Sequence, residues 1–155
     1  MIPIRGLFET HLTVMHLERA VSFYRDVIGL ELAYLLPERQ VAFFWIGARG
    51  NAMLGLWCVG SAPLSMALHI AFDVALADLL TAPERLNAAG VTPRGFNGEP
   101  VAEPVVIGWM PAAALYFKDP DGHSLEYLAM LPQQSKAEIG VVTYTRWQAM
   151  HAPQG

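Results

Sequence analysis

The sequence has little cysteine and little charge, and each scarcity excludes a class of protein. Its single cysteine, Cys58, cannot form a disulfide within the chain. Charged residues make up 15% of the sequence and hydrophobic residues 54%, a balance that excludes disorder because disordered chains combine low hydrophobicity with high charge. Such an apolar composition is typical of a protein with a large internal cavity or a buried subunit interface.

Long hydrophobic runs and basic stripes are missing as well. No apolar run approaches the roughly 18 residues that a membrane helix needs. The N-terminal stretch around Arg5 has no apolar segment ending in a cleavage site. The ten Lys and Arg residues are scattered and the net charge is −4, so no nucleic-acid surface is expected. We therefore expect a cytoplasmic protein that binds neither membrane nor nucleic acid.

One pattern occurs twice along the 155 residues. The stretch ETHLTV (9–14) resembles ALHIAFDV (67–74), since each places a histidine inside a short apolar strand. A helix is predicted after each strand, over 17–29 and 75–90, and each helix ends in a glycine. Pro83 is predicted to break or restart the second helix because its ring does not suit a helix interior.

Each helix is followed by strand-like runs. They lie at 31–36, 41–47 and 52–59 in the first half, and at 91–96, 113–118 and 123–130 in the second. The sequence therefore predicts an α+β fold of two βαβββ modules, which form an incomplete mixed β-barrel with helices outside. We expect a single domain over 1–155, with module one at about 7–60, module two at about 67–131 and a tail at 132–155 that contains one more strand at 140–147.

The strand alternation points both histidines away from the helices. Ile70 and Phe72 share one face of their strand and His69 lies on the other, and the same alternation turns His11 away from Leu12. Glu126 lies in the last strand, and a buried glutamate is costly unless it is paired or bound to a metal. Two imidazoles and a carboxylate suit a divalent ion and leave coordination positions open, as in catalytic sites.

Ordinary structural roles compete with this interpretation. A lone strand histidine is more often a hydrogen-bonded core or surface residue, and a lone glutamate is usually solvated. The repeat favours the metal interpretation, because the same residue type occupies the same place in both halves. Four aromatic residues are candidate walls of a substrate pocket, although each could equally be a core or interface aromatic; they are Trp45, Trp57, Trp109 and Tyr116.

Three motifs together resemble the vicinal oxygen chelate superfamily, which includes glyoxalase I, fosfomycin-resistance thiol transferases, extradiol dioxygenases and bleomycin-resistance proteins. The motifs are THLTVMHLERAVSFYRDVIGLEL (10–32), LHIAFDV (68–74) and YFKDPDGHSLEYL (116–128). The resemblance implies that His11, His69 and Glu126 are the metal ligands, with Glu126 also catalytic. The glyoxalase I pattern has a fourth ligand in the last strand of the first half, a place that Gly55 is predicted to occupy here. That departure favours a three-ligand site.

The resemblance implies a metal-dependent enzyme of the glyoxalase/dioxygenase type. One divalent ion (Fe, Mn, Ni, Zn or Co) would chelate two neighbouring oxygens of a small substrate, and the protein would be a homodimer. A non-catalytic protein that binds a small molecule, as bleomycin-resistance proteins do, is one alternative. A fosfomycin-type thiol transferase is another, against which the acidic and apolar stretch 98–113 argues because it offers a phosphonate no cation.

Overall fold

The first half of the chain folds as one βαβββ unit. The computed structural model describes residues 6–58 and 67–152. The elements of the first unit are β1 (Glu9–Val14), α1 (Leu17–Ser22), a π-helical turn (Phe23–Val27), β2 (Glu31–Leu36), β3 (Val41–Ile46) and β4 (Ala52–Cys58). The described residues up to Leu68 form a compact unit, to which Asp119–Gly122 also belongs.

The second half repeats the same order and adds a C-terminal extension. Its elements are β5 (His69–Asp73), α2 (Leu76–Ala88), β6 (Val105–Ile107), β7 (Ala112–Lys118), β8 (Ser124–Met130), β9 (Val141–Thr143) and α3 (Tyr144–His151). Both βαβββ modules and the α+β class are therefore confirmed. None of the helices in the described residues is long and apolar enough to cross a membrane.

The first sheet has the strand order β1-β4-β3-β2, with β1 parallel to β4 and the other pairs antiparallel. Strand alternation buries Leu12 and Val14 on the face that packs against α1 and leaves His11 on the opposite, exposed face. The DPDG turn is fixed to α1, because the Tyr24 hydroxyl donates to Oδ2 of Asp119 at 3.0 Å and Arg19 pairs with Asp121 at 2.6 Å.

The second sheet has the order β5-β8-β7-β6-β9, with β5 parallel to β8. Helix α2 packs on β7 and β8. Leu79 and Leu86 of the helix and Phe117 and Leu125 of the strands are almost fully buried, as their apolar periodicity requires. The opposite face of β7 and β8 carries Tyr116 and Glu126, which are direct partners in the antiparallel register.

Two predictions about helices and strands in the second half are wrong. Helix α2 continues through Pro83, which is buried on the packing face with Ala82 and Leu86, so the buried contacts outweigh the hydrogen bond that the proline removes. Residues 91–96 do not form a strand. Pro93 has no N–H to donate, and only Arg94 makes bridges, to Pro100 and to Tyr116. The sheet instead uses Val105–Ile107, which pairs on both sides.

The strand predicted at 140–147 is also wrong in its extent. Strand β9 ends at Thr143, whose hydroxyl accepts a hydrogen bond from the Arg146 backbone N–H at 3.3 Å and so caps α3. Some predicted boundaries lie outside the described residues: residue 59 of the fourth strand, the end of module one at 60, and the last three residues of the tail.

Candidate metal and substrate site

In the second unit, neighbouring strands bring His69 and Glu126 together. Nε2 of His69 lies 3.1 Å from Oε2 of Glu126, and Nδ1 of His69 lies 3.1 Å from the backbone oxygen of Ser124. Because a carbonyl oxygen can only accept, Nδ1 carries the hydrogen and Nε2 turns toward the carboxylate. A proton on Nε2 or a cation bound to both atoms satisfies this contact. The separation also fits two adjacent ligands, each about 2.1 Å from one ion.

The carboxylate of Glu126 is buried more deeply than a solvated glutamate would be. The residue is 5% exposed, and its Oε1 atom is buried with no hydrogen-bond partner among the described residues. Moving a neutral polar group out of water without a hydrogen-bond partner costs about 2–7 kcal/mol, and moving a charged group costs more. The second unit therefore contains an oxygen and a nitrogen donor that suit a divalent cation.

Tyr116 lies beside this pair on the adjacent strand. The pKa of its phenol is raised above the ordinary value, first by burial and then by the negative charge of Glu126. A hydrogen bond from this hydroxyl to the Glu126 carboxylate raises the pKa further. Its ring lies 6.2 Å from the His69 ring and 6.1 Å from the Phe96 ring, between centroids. The pairing of Tyr116 with Glu126 follows from the DPDG hairpin and could have been found by counting outward from that turn.

In the first unit, His11 lies on the exposed face of β1 opposite Gly55 of β4. A Cβ atom at position 55 would come within 2.5 Å of Cδ2 of His11, so the glycine leaves the space that the imidazole fills. Nε2 of His11 lies 3.1 Å from Oε1 of Glu9. The His11 ring lies 5.5 Å from the Trp57 ring and 6.1 Å from the Phe43 ring, between centroids.

The strand registers correct the place assigned to Gly55. In the second unit, the residue opposite Glu126 is Ala71, two positions after His69. In the first unit, the residue two positions after His11 is Thr13, and its partner is Trp57. Trp57, and not Gly55, therefore stands where the second module has its glutamate. The first module therefore still lacks a carboxylate at this position, and it has an aromatic side chain there instead.

The structure places the four predicted wall residues in different surroundings. Trp45 and Trp57 lie half-buried on the His11 face of the first sheet, and Tyr116 adjoins Glu126 in the second. Trp109 lies in the turn between β6 and β7 and is 61% exposed. Sequence reasoning missed Glu9, which strand alternation from His11 would have found, and Arg39, whose guanidinium lies 5.5 Å from the centre of the Trp57 ring.

The matched family covers both units. A profile of the Glyoxalase/Bleomycin resistance protein/Dioxygenase superfamily matches residues 6–127. The chain belongs to this superfamily. The match includes β1 with His11, β5 with His69 and β8 up to Glu126, together with the DPDG turn.

Solved structures agree with this superfamily assignment. The chain is similar to an integron cassette protein from the mobile metagenome of the Halifax Harbour sewage outfall, at 32% identity, 82% coverage of this chain, 100% of that chain and a TM-score of 0.71. It is similar to lactoylglutathione lyase from Agrobacterium tumefaciens, at 25% identity, 83% and 96% coverage and a TM-score of 0.65. The fosfomycin resistance protein FosX from Mesorhizobium loti shares the fold, at 23% identity, 84% and 96% coverage and a TM-score of 0.59.

The proposed metal ligands lie in two separate compact units. His11 belongs to the first unit, and His69 and Glu126 belong to the second. Within residues 6–58 and 67–152, no group of three or more His, Cys, Asp or Glu side chains is arranged to hold a metal ion. The three-ligand centre therefore stays a prediction, and the donor pair of the second unit is what the structure contributes to it.

Proposed function

We propose that this superfamily member is an enzyme that uses one divalent ion, held by His11, His69 and Glu126, to act on a small substrate with two neighbouring oxygens. The observation that carries the proposal is the buried carboxylate of Glu126, with Oε2 next to His69 and Oε1 without a partner. The family match and the cleared space around His11 support it. Imidazole and carboxylate donors suit Fe, Mn, Ni, Zn or Co.

The bound ion would supply Lewis-acid chemistry, polarising a substrate carbonyl. The surrounding side chains then have separate roles. Glu126 is the proposed catalytic residue, because a carboxylate beside the ion can accept a proton from the substrate. Tyr116 lies beside Glu126, to which its hydroxyl hydrogen-bonds, and supplies a further wall of the proposed pocket. Trp45 and Trp57 supply apolar surface, and Trp109, in its exposed turn, is a further proposed substrate contact.

Metal binding tests the proposal directly. Wild-type protein stripped with chelator should bind one ion per chain when titrated with Mn, Co, Ni or Zn in a calorimeter. His69→Ala and Glu126→Gln should each weaken binding by about 100-fold or more, since even residues that only orient a ligand contribute 10–100-fold. His16→Ala and Glu84→Gln, at exposed positions, are the matched controls. Unchanged affinity in both ligand variants would remove the proposal.

A non-catalytic binding protein is the second candidate, and the first sheet favours it. His11, Phe43 and Trp57 form an aromatic cluster, and their ring centroids are 5.5 to 6.5 Å apart. Such a surface suits a planar apolar molecule. Ligand binding that survives chelator treatment, without turnover, would support this candidate. Turnover that requires glutathione or another thiol would instead indicate a transferase, as the fold shared with FosX allows.

A homodimer and a cytoplasmic location complete the proposal. An isologous dimer is the commonest assembly of soluble proteins, and the 54% hydrophobic composition permits a buried interface. Sedimentation at micromolar concentration tests the assembly, and a monomer would contradict it.

A further inference from the structure

A small cavity adjoins the candidate site within the second unit. It has a volume of about 230 Å³ and lies between the end of β7, the start of β8 and the loop at 94–98. Tyr116, the strand partner of Glu126, is one of its walls. Because whole small-molecule sites have volumes of about 300–1,000 Å³, this cavity is large enough for only one group of a ligand.

The walls of this cavity carry positive charge. Among the described residues that line it, Arg94 and Lys118 are basic and none is acidic. The remaining walls are aromatic residues, glycines and one serine, namely Phe96, Tyr116, Phe117, Gly95, Gly98 and Ser124. Within residues 6–58 and 67–152, neither basic side chain forms an ion pair with a carboxylate. Both charges can therefore neutralise an anionic group of a ligand.

Arg94 is held in place by hydrogen bonds of its backbone and its side chain. Its backbone N–H donates to the oxygen of Tyr116 at 2.7 Å, and its backbone oxygen accepts from the Tyr116 N–H at 2.9 Å. Nη1 of Arg94 donates to the backbone oxygen of Gly98 at 2.7 Å. Glu99, the acid of the same loop, uses Oε2 to accept from the Asn97 N–H at 3.0 Å. The half-buried guanidinium is thereby oriented, and the rest of its five N–H donors remain for an anion.

The strand registers place both basic residues on the sheet face of the proposed metal ligands. Arg94 is opposite Tyr116, which is opposite Glu126, and residues directly opposite one another share a face. Lys118 follows Tyr116 by two residues in β7 and therefore lies on the same face. Two strand spacings, about 10 Å, separate the backbones of Arg94 and Glu126. An anion in the cavity would thus lie several bonds away from oxygens bound beside Glu126.

We infer that the cavity binds a carboxylate of the substrate. This inference rests on the proposed function and narrows its substrate class to small acids whose carboxylate lies several bonds from the two neighbouring oxygens. Arg94 can match a planar carboxylate with parallel N–H donors, and the half-exposed Phe96 ring supplies apolar surface for the intervening carbons. A carboxylate suits the cavity better than a doubly charged phosphate, because Glu99 and Glu126 lie close to its walls and repel a second negative charge.

Protein stripped of metal by chelator tests the cavity by itself. In protein with ¹⁵N-labelled arginine, Arg94→Gln identifies the side-chain Nε–H signal of Arg94 by its loss. On titration with benzoate at millimolar concentration, this signal should shift in a saturable way while the signal of the exposed Arg85 stays in place. Benzamide, the neutral isostere, should leave the Arg94 signal unchanged. The inference is overturned if benzoate does not shift the Arg94 signal, or if phenylphosphonate binds there more tightly than benzoate.

Protein loaded with Co tests whether the carboxylate site serves the proposed metal site. The probes 3,4-dihydroxybenzoate and 3,4-dihydroxybenzamide carry the same two neighbouring oxygens and differ in charge at the far side of the ring. In a calorimeter, wild-type protein should bind the acid about tenfold more tightly than the amide, because hydrogen bonds to charged groups are the stronger ones. Arg94→Gln should remove this preference, and Lys118→Gln, at an exposed position, should reduce it about threefold. Arg85→Gln makes the same charge change on α2 and should keep the preference.

The outcomes separate this inference from the proposed function. Equal binding of acid and amide by the Co-loaded wild type overturns the inference, and so does a preference that survives in both Arg94→Gln and Lys118→Gln. The exposed Lys118 keeps the test valid if Arg94→Gln does not fold, which circular dichroism would show. A benzoate shift at Arg94 in protein that takes up no divalent ion would support the carboxylate site and overturn the proposed function.

Discussion

Gly55 controls the orientation of His11 by lacking a side chain. Its strand partner is His11, and the imidazole occupies the space that a Cβ atom would need. The clash would fall on the ring of a half-exposed side chain that can rotate, so a substitution should disturb the imidazole more than the backbone. Because Glu9 holds Nε2 of His11 at 3.1 Å, a displaced ring would lose this contact as well.

Gly55→Ala should therefore weaken metal binding while the fold persists. We expect a loss of about tenfold in affinity, the lower part of the range for changes that misorient a ligand, with little change in the melting temperature. Calorimetric titration with Co or Ni, alongside circular dichroism melts, measures both. Gly6→Ala is the matched control, since a Cβ at position 6 meets nothing within 4 Å. Metal affinity equal to that of the wild type would show that His11 is not a ligand.

Trp57 marks the difference between the two modules at the residue scale. It stands in the register position that Glu126 holds in the second module, and its ring packs against those of His11 and Phe43. An aromatic residue here enlarges the apolar surface and supplies no ligand atom. The first module therefore presents His11 beside an apolar wall, and the second module presents the carboxylate.

Replacing this wall by a carboxylate should strengthen metal binding. Trp57→Glu should raise affinity for Ni or Zn by about tenfold, because the new carboxylate would add a fourth oxygen or nitrogen donor of the kind these ions bind. Trp45→Glu makes the same charge change on the same face of β3, two strands from His11, and should raise affinity much less. Equal metal affinity in the two variants would contradict the expectation that position 57 lies beside the metal as Glu126 does.

At the scale of elements, sequence periodicity predicted the repeat and most strands. Strand alternation buries Leu12 and exposes His11, and the DPDG turn determines the hairpin that pairs Tyr116 with Glu126. Failures occurred where tertiary packing or capping overrides a local preference. Burial keeps Pro83 inside α2, and the Thr143 cap ends β9 early. The meeting of His69 with Glu126 depends on a parallel pairing 57 residues apart, which the sequence could predict only through the family resemblance.

Glu103, in the segment before β6, accepts hydrogen bonds from the first turn of α3. Oε2 of Glu103 accepts from the Thr145 hydroxyl at 2.6 Å and from the Thr145 backbone N–H at 2.9 Å. These contacts, the hydroxyl first, lower the pKa of Glu103 below its ordinary value. A carboxyl with a depressed folded-state pKa contributes stability above its unfolded pKa and loses it as the pH falls through the folded value.

Acid should therefore loosen α3 before the rest of the second unit. Protection of the Thr145 amide against hydrogen exchange should fall once the pH drops below about 4.3, the ordinary pKa of glutamate, while the amides of β7 and β8 stay protected. Glu103→Gln should reduce that protection at neutral pH and remove most of its pH dependence. Glu138→Gln, an exposed control, should behave as the wild type. If the amides of β7 and α3 lose protection at the same pH, the Glu103–Thr145 contacts do not control the acid opening of α3.

The whole molecule divides the proposed ligands between its two compact units. His11 lies in the first, and the paired His69 and Glu126 lie in the second. The proposed three-ligand centre requires a His11 from the same chain or from a second copy. Because we propose a homodimer, we expect His11 to come from the second copy. A site shared between two copies would place the metal at the subunit interface, and an apolar interface would account for the apolar composition.

Combining two variants that cannot bind metal distinguishes a site within one chain from a site shared between two copies. His11→Ala and Glu126→Ala, carried on differently tagged chains, should each bind no ion as homodimers, because every site lacks one ligand. In a purified heterodimer whose sites are shared, one site loses both ligands, but the other combines an intact His11 with an intact His69 and Glu126. We therefore expect one ion per heterodimer, measured by elemental analysis after dialysis. A metal-free heterodimer would show that each chain uses its own three ligands. In that case each chain lacks one ligand, and pairing the two variants does not produce a complete site.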